Sequence, residues 1–98
     1  VKALRLLPSA QRDLDAIWNY TAAAWGIEQA ETYIAALRWD MERLCEYPQL
    51  GPPHRSRVAE FRKLPSGHHL IFYLVRDQTV EVARILHERM DLTRQLGK

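Results

Sequence analysis

The stretch VAEFRKLPSGHHLIFYLVRDQTVEVARIL, residues 58–86, decides the fold. Three runs rich in β-branched, aromatic and leucine side chains are separated by two connections of hairpin length, Pro65-Ser66-Gly67 and Arg76-Asp77-Gln78-Thr79. That is the pattern of an antiparallel meander, with strands expected at residues 58–64, 68–75 and 80–86. The middle run, HHLIFYLV, is apolar on both alternations, so it belongs at the centre of a sheet, covered on both faces or on one face plus a groove.

Upstream of the meander the hydrophobic period changes from two to 3.6. Residues 28–46 carry Ala30, Tyr33, Ile34, Leu37, Met41, Leu44 and Cys45 on one helical stripe, and Pro48 limits the helix. A first helix carries Ala10, Leu14, Ile17, Trp18, Thr21 and Trp25 at spacings that define one face. Ser9 is its expected N-cap, Asp13 suits the positive end of its dipole, and Gly26 ends it. Two helices joined by so short a turn form a helical hairpin. Residues 3–7 read as a strand closed by Pro8, residues 48–54 as a loop, and residues 91–96 as one or two helical turns. The expected architecture is α+β, order β-α-α-β-β-β with a short C-terminal helix. The hairpin packs on one face of a mainly antiparallel four-stranded sheet, and no element remains for the other face.

Ninety-eight residues, 47% hydrophobic and 27% charged, make one ordinary globular domain spanning 1–98, without repeats or linkers. A lone Cys45 leaves no intramolecular disulfide, and no clustered Cys/His spacing offers a structural zinc site. No cofactor is expected. No apolar run reaches the length of a membrane span, and VKALRLLPS does not read as a signal peptide, so a cytoplasmic protein without membrane contact is expected.

The net charge of +2 is unevenly placed: residues 1–49 hold five lysines and arginines against seven acids, and residues 50–98 hold nine against five, with all four histidines. A basic half suits an anionic partner, and solvated charge on strand edges accounts for it equally well. Arg55, Arg57, Arg62 and Lys63 stand within nine residues against Glu60 alone. His68 and His69 open the central strand, and His87, Glu88 and Arg89 follow the last one. In a meander some of these approach one another on the open sheet face. Imidazole and guanidinium together are a workable set for RNA cleavage, one moving a proton and the other stabilising a pentavalent phosphate. The alternation qualifies that reading. Consecutive residues of a strand point to opposite faces, so His68 and His69 are separated. His69 aligns with Ile71 and Tyr73 as a half-buried histidine, and Arg84 aligns with Val80, Val82 and Leu86 as a paired arginine. Trp18 and Trp25 fall on the core stripe of the first helix, while Trp39 lies off the stripe of the second.

Taken together, DLDAIWNYTAAAWG, QAETYIAAL, LCEYPQLG, EFRKLPSGHHLIFY and VARILHERMDL resemble, in order and over essentially the whole chain, the RelE/ParE toxin superfamily, and within it the ParE branch. The resemblance implies a toxin of a type II toxin–antitoxin pair, with a helical hairpin on an antiparallel sheet. ParE-type relatives poison DNA gyrase by trapping its cleaved-DNA complex. RelE-type relatives cut mRNA in the ribosome with basic residues and a C-terminal tyrosine. At the positions of the RelE-type set this chain has His69 for the central-strand arginine, Arg89 for the arginine after the last strand, and no tyrosine near Gln95.

The expected function is therefore a gyrase poison that acts by binding, with no catalytic residue assigned. The alternatives are a ribosome-dependent endonuclease using His69, His87, Arg62 and Arg89, or a relative that binds its antitoxin and poisons nothing. Arg55, Arg57, Arg62, Lys63, His87 and Arg89 are the target-binding candidates, and direct contact with nucleic acid stays open. The resemblance also implies a cognate ParD-like antitoxin with an acidic tail that folds on binding. It would meet Trp18, Tyr20 and Trp39 in a groove beside the helices and add to an open sheet edge.

Overall fold

A run apolar on both alternations can be satisfied only between two layers, and the central strand is. In the computed structural model, which describes residues 1–90 and 92–96, the elements are β1 (Ala3–Leu6), α1 (Pro8–Trp25), α2 (Ile27–Glu46), β2 (Pro53–Arg55), β3 (Glu60–Ser66), β4 (His69–Val75), β5 (Thr79–His87) and α3 (Leu92–Leu96). The sheet order is β1-β5-β4-β3-β2, antiparallel throughout except where β1 pairs in parallel with β5. Ile71 and Tyr73 of β4 pack toward the helices with Leu37, Met41 and Leu44, whereas Phe72 packs into a second cluster with Phe61, Ala83, Leu86 and Leu96.

The helical hairpin on a mainly antiparallel sheet is as expected, with five strands instead of four. The extra strand, β2, lies in the segment read as a loop. Its Pro53 is tolerated because it starts an edge strand, where no ladder donor is lost. The opposite sheet face is not bare either. The five residues of α3 put Leu96 into the second cluster and Leu92 beside it. Position 91, the expected start of those turns, lies outside the described residues.

Two local features depart from simple alternation. Phe72 pairs with Arg84 and Tyr73 with Val82, so β5 carries one extra residue, Ala83, opposite β4. This bulge splits the row expected for Arg84: Val80 and Val82 stay on the helix side with Ile85, and Leu86 joins the other cluster. Arg84 is a paired arginine all the same. Its Nε and Nη2 donate to the two oxygens of Asp13 at 2.7 and 3.0 Å, and Asp13 also accepts the Ile85 N–H at 2.9 Å. The same pairing raises the arginine's proton affinity. Nearby, the N-terminal reading of α1 needs correction. Pro8 occupies the first helical turn, Leu7 is the capping residue without a side-chain bond, and Ser9 Oγ instead donates to the Ala83 carbonyl at 2.8 Å. Asp13 serves Arg84, not the helix dipole.

At the other end of the helix, Gly26 has a φ of 97° and donates its N–H to Ala22, closing α1 and admitting α2 within one residue. Among the described residues no helix is long and apolar enough to cross a membrane.

Candidate functional site

At about 1.5 Å per residue, the 18 residues of α1 reach roughly 27 Å. Only Ala10 and Leu14, in its first half, are fully buried. The second half therefore overhangs the sheet, and beneath the overhang runs a groove of about 740 Å³. Its lining includes the apolar Ile17, Tyr20 and Trp25 of α1 with Ile85 and Met90, and a cluster of Tyr33, His68, His69 and His87 that makes its histidine end. Tyr20 is 72% exposed and Trp25 73%. Trp25 is thus not a core residue, because the stripe it continues has run past the sheet edge.

The histidine end is built from the meander. A two-residue turn at Gly67 and His68, with Gly67 at φ 59°, joins β3 to β4, and His69 pairs directly with His87 of β5. His68 lies in the turn and not in the strand, so strand alternation does not separate it from His69, and both line the groove. The ring centroids of His69 and His87 are 5.3 Å apart and edge-on, and those of His68 and His87 are 6.4 Å apart and stacked. These residues meet on the helix-facing side of the sheet, not on the opposite face.

Each ring has one nitrogen engaged. Tyr33 Oη accepts the His68 N–H at 2.9 Å and lies 2.6 Å from His69 Nδ1. Burial raises the phenol's pKa, so it keeps its proton and donates it to Nδ1, which assigns His69 the Nε2–H tautomer. His68 Nδ1 meets Glu88 at 3.1 Å, and His87 Nδ1 accepts the Arg89 N–H at 3.1 Å. Burial, followed by the neighbouring His87 and His68, pushes the His69 pKa down to about 4, against the opposing pull of Glu88 and Asp13.

The histidine end also makes stability depend on pH. The unfolded chain protonates His69 near its ordinary value of about 6.5, and the folded chain only near 4. Between those values the unfolded state binds more protons, so stability is complete above pH 6.5 and falls as the pH drops toward 4. Allowing for partial solvent screening, the loss is on the order of 1–3 kcal/mol. Urea unfolding of the wild type and His69→Gln between pH 4 and 7 tests this: the variant is expected to lose that part of the slope, and parallel profiles would contradict it.

The other site candidates are scattered. Arg62 Nη1 donates to the Gly51 carbonyl at 2.6 Å. It stands opposite Tyr73, four residues along β4 from His69, or about 13 Å. Arg55 pairs with Glu60 at 3.0 Å in full exposure, Arg57 is exposed in the bend that follows, and Lys63 is half-buried beside His54 on the other face. The four-charge run is thus one exposed pair of arginines, one lysine, and a structural Arg62. Arg89 is exposed at the histidine end. Of the three aromatic candidates only Tyr20 lines the groove; Trp18 is half-buried elsewhere, and Trp39 is 66% exposed on the outer side of α2.

The fold is shared with two solved structures. It superposes on the chromosomal ParDE system from P. aeruginosa with a TM-score of 0.76, at 22% identity, over 88% of this chain and 95% of that one. On the RelBE2 toxin–antitoxin complex from Mycobacterium tuberculosis the TM-score is 0.62, at 22% identity, over 88% of this chain and 96% of that one. The model of the ParE toxin of the type II toxin–antitoxin system parDE matches residues 4–92. Toxin ParE1 of Caulobacter vibrioides is 39% identical over 97 residues, 99% of this chain and all of that protein. The chain belongs to the ParE toxin family of type II toxin–antitoxin systems.

Proposed function

We propose that this toxin inhibits DNA gyrase by binding it, and that a ParD-like antitoxin restrains it by laying an amphipathic helix in the groove beneath the hairpin. The observation that carries the first part is that the RelE-type set is incomplete: His69, His87 and Arg89 share the histidine end, but the position near Gln95 holds no tyrosine and Arg62 lies apart. Arg62 is committed to a backbone carbonyl about 13 Å along the strand from His69. His69 is held by Tyr33 with its proton affinity lowered, and Gln95 stands near the position of the RelE-type tyrosine. A cleaving site must bring a proton carrier and a phosphate-neutralising group to one reacting phosphodiester, whereas a gyrase poison need only bind the cleaved complex more tightly than the intact one.

The second part is supported by the groove's apolar lining and by its length along α1, which suit anchors at helical spacing. Strand addition has less to offer. The sheet edges are the four-residue β1 and the three-residue β2, and the Lys2 N–H at the β1 edge already donates to the Cys45 carbonyl. An acidic tail on the antitoxin fits the basic second half of the chain.

Induced expression tests the target. DNA breaks with an SOS-type response are expected, and rapid mRNA cutting without DNA damage would overturn the reading. The basic patch has its own test. With purified gyrase, Arg57→Glu with Lys63→Glu, which spares the structural Arg62, is expected to weaken inhibition about tenfold and to make it less dependent on salt. Unchanged potency in the folded double variant would remove the patch from the target surface.

A further inference from the structure

Three imidazoles with one nitrogen each already engaged form a feature that apolar docking alone does not use. We infer that the histidine end of the groove is a carboxylate-binding subsite, in which His69 and His87 donate through Nε2 to one acidic side chain of the docked antitoxin helix. The inference rests on the reading of the groove as the antitoxin's seat and adds to it a polar determinant of register.

The tautomers follow from bonds already described. His69 accepts at Nδ1 from Tyr33, and His87 accepts at Nδ1 from the Arg89 N–H, so each neutral ring carries its proton on Nε2. Among the described residues no other bond is made by either Nε2 and no buried side-chain nitrogen or oxygen lacks a partner, so the His69 Nε2 is accessible on a residue that lines the groove. With ring centroids 5.3 Å apart, the two N–H groups can serve the two oxygens of one carboxylate.

The carboxylates nearest the site, Asp13 and Glu88, act on His69 but each has a partner of its own. Asp13 of α1 is neutralised by Arg84 of β5, Glu88 is engaged by His68, and Tyr33 of α2 keeps its proton. Arg89 adds an exposed positive charge at the same end. The apolar lining of Ile17, Tyr20 and Trp25 selects a peptide helix over a polyanion backbone. A carboxylate seated there opposes the burial that now lowers the His69 pKa, so the imidazole gains a proton at Nδ1 as the complex forms, and Tyr33 Oη turns from donor to acceptor. Affinity therefore falls as the pH rises through the raised His69 value in the complex, and strengthens as the pH drops from there toward the free value of about 4.

The test uses the whole toxin and a purified ParD-like antitoxin that neutralises it. Titration calorimetry in buffers of different ionisation enthalpy, at pH 6 and 7.5, measures affinity and proton uptake together. Wild type is expected to take up close to one proton at pH 6, and His69→Gln and His87→Gln are each expected to bind roughly tenfold more weakly and to lose the uptake. Imidazole NMR of the complex is expected to show the His69 pKa raised well above its free value. Tyr20→Ala with Trp25→Ala separates the inference from its premise. If that pair weakens binding while the histidine variants bind like wild type without a change in uptake, the groove stands and the carboxylate subsite falls. If neither set changes binding, the groove reading falls, and the subsite with it. Proton uptake and histidine dependence obtained with a DNA duplex in place of the antitoxin would also overturn the inference.

Discussion

Gly51→Ala is expected to lower the Tm of the free toxin by roughly 12–24 °C, about 3 kcal/mol in a domain of this size. No left-handed backbone angle makes the residue necessary; close approach does. A Cβ at position 51 would run into the Lys63 carbonyl, and would sit 2.9 Å from the Tyr73 hydroxyl. Neither neighbour can yield cheaply. Lys63 is fixed in β3 and its N–H donates to the Pro52 carbonyl at 3.0 Å. The fully buried Tyr73 accepts the Gly51 N–H at 2.9 Å and donates to the Pro48 carbonyl at 2.7 Å. Displacing the loop therefore strands buried polar groups as well as breaking the Arg62 bond to Gly51. Tyr73→Phe, which removes the hydroxyl and leaves the space, is expected to cost less, about 1–2 kcal/mol. Thermal unfolding of the two variants checks both values, and a Gly51→Ala protein as stable as wild type would contradict this account of the loop.

Removing both groove aromatics, Tyr20→Ala with Trp25→Ala, is expected to weaken antitoxin binding at least about a hundredfold while moving the Tm of the free toxin little. The asymmetry comes from exposure: both rings stand more than 70% free of the fold, so truncation removes partner contact and hardly any core. Trp39→Ala is the matched control. Its ring is equally exposed at 66%, but it lies outside the groove, and its loss is expected to leave affinity within about threefold. Equal losses from the control and the double variant would mean that the partner reads the outer face of α2.

The chain spelled out its layers more clearly than its site. The period change between residues 46 and 58, and the apolar run 69–75, pointed directly to helices on a sheet with a buried central strand. Three things were hidden, each for a physical reason. The β2 strand is three residues long and begins with proline, which carries no strand pattern. The Ala83 bulge reverses the alternation on which the placement of Arg84 depended. The overhang of α1 left Trp25 on a core stripe with no core beneath it. The histidine end was legible only as a list of residues. Its assembly required the turn at Gly67 and His68 and the pairing of His69 with His87, and Tyr33, read as one more apolar position on the helical stripe, carried no local signal of its bonds to His68 and His69. Conversely, the four positive charges at 55–63 looked like one patch in the sequence, and hydrogen bonding divides them.

The claim at the centre of the account is that this ParE-family toxin acts by binding gyrase and not by cutting RNA. It is tested most directly by adding the purified toxin to purified gyrase, ATP and relaxed plasmid, with and without antitoxin. Loss of supercoiling together with accumulation of protein-linked, cleaved plasmid, both abolished by antitoxin, is the result the account predicts. Full gyrase activity at saturating toxin, alongside toxin-dependent mRNA cleavage on purified translating ribosomes, would contradict it.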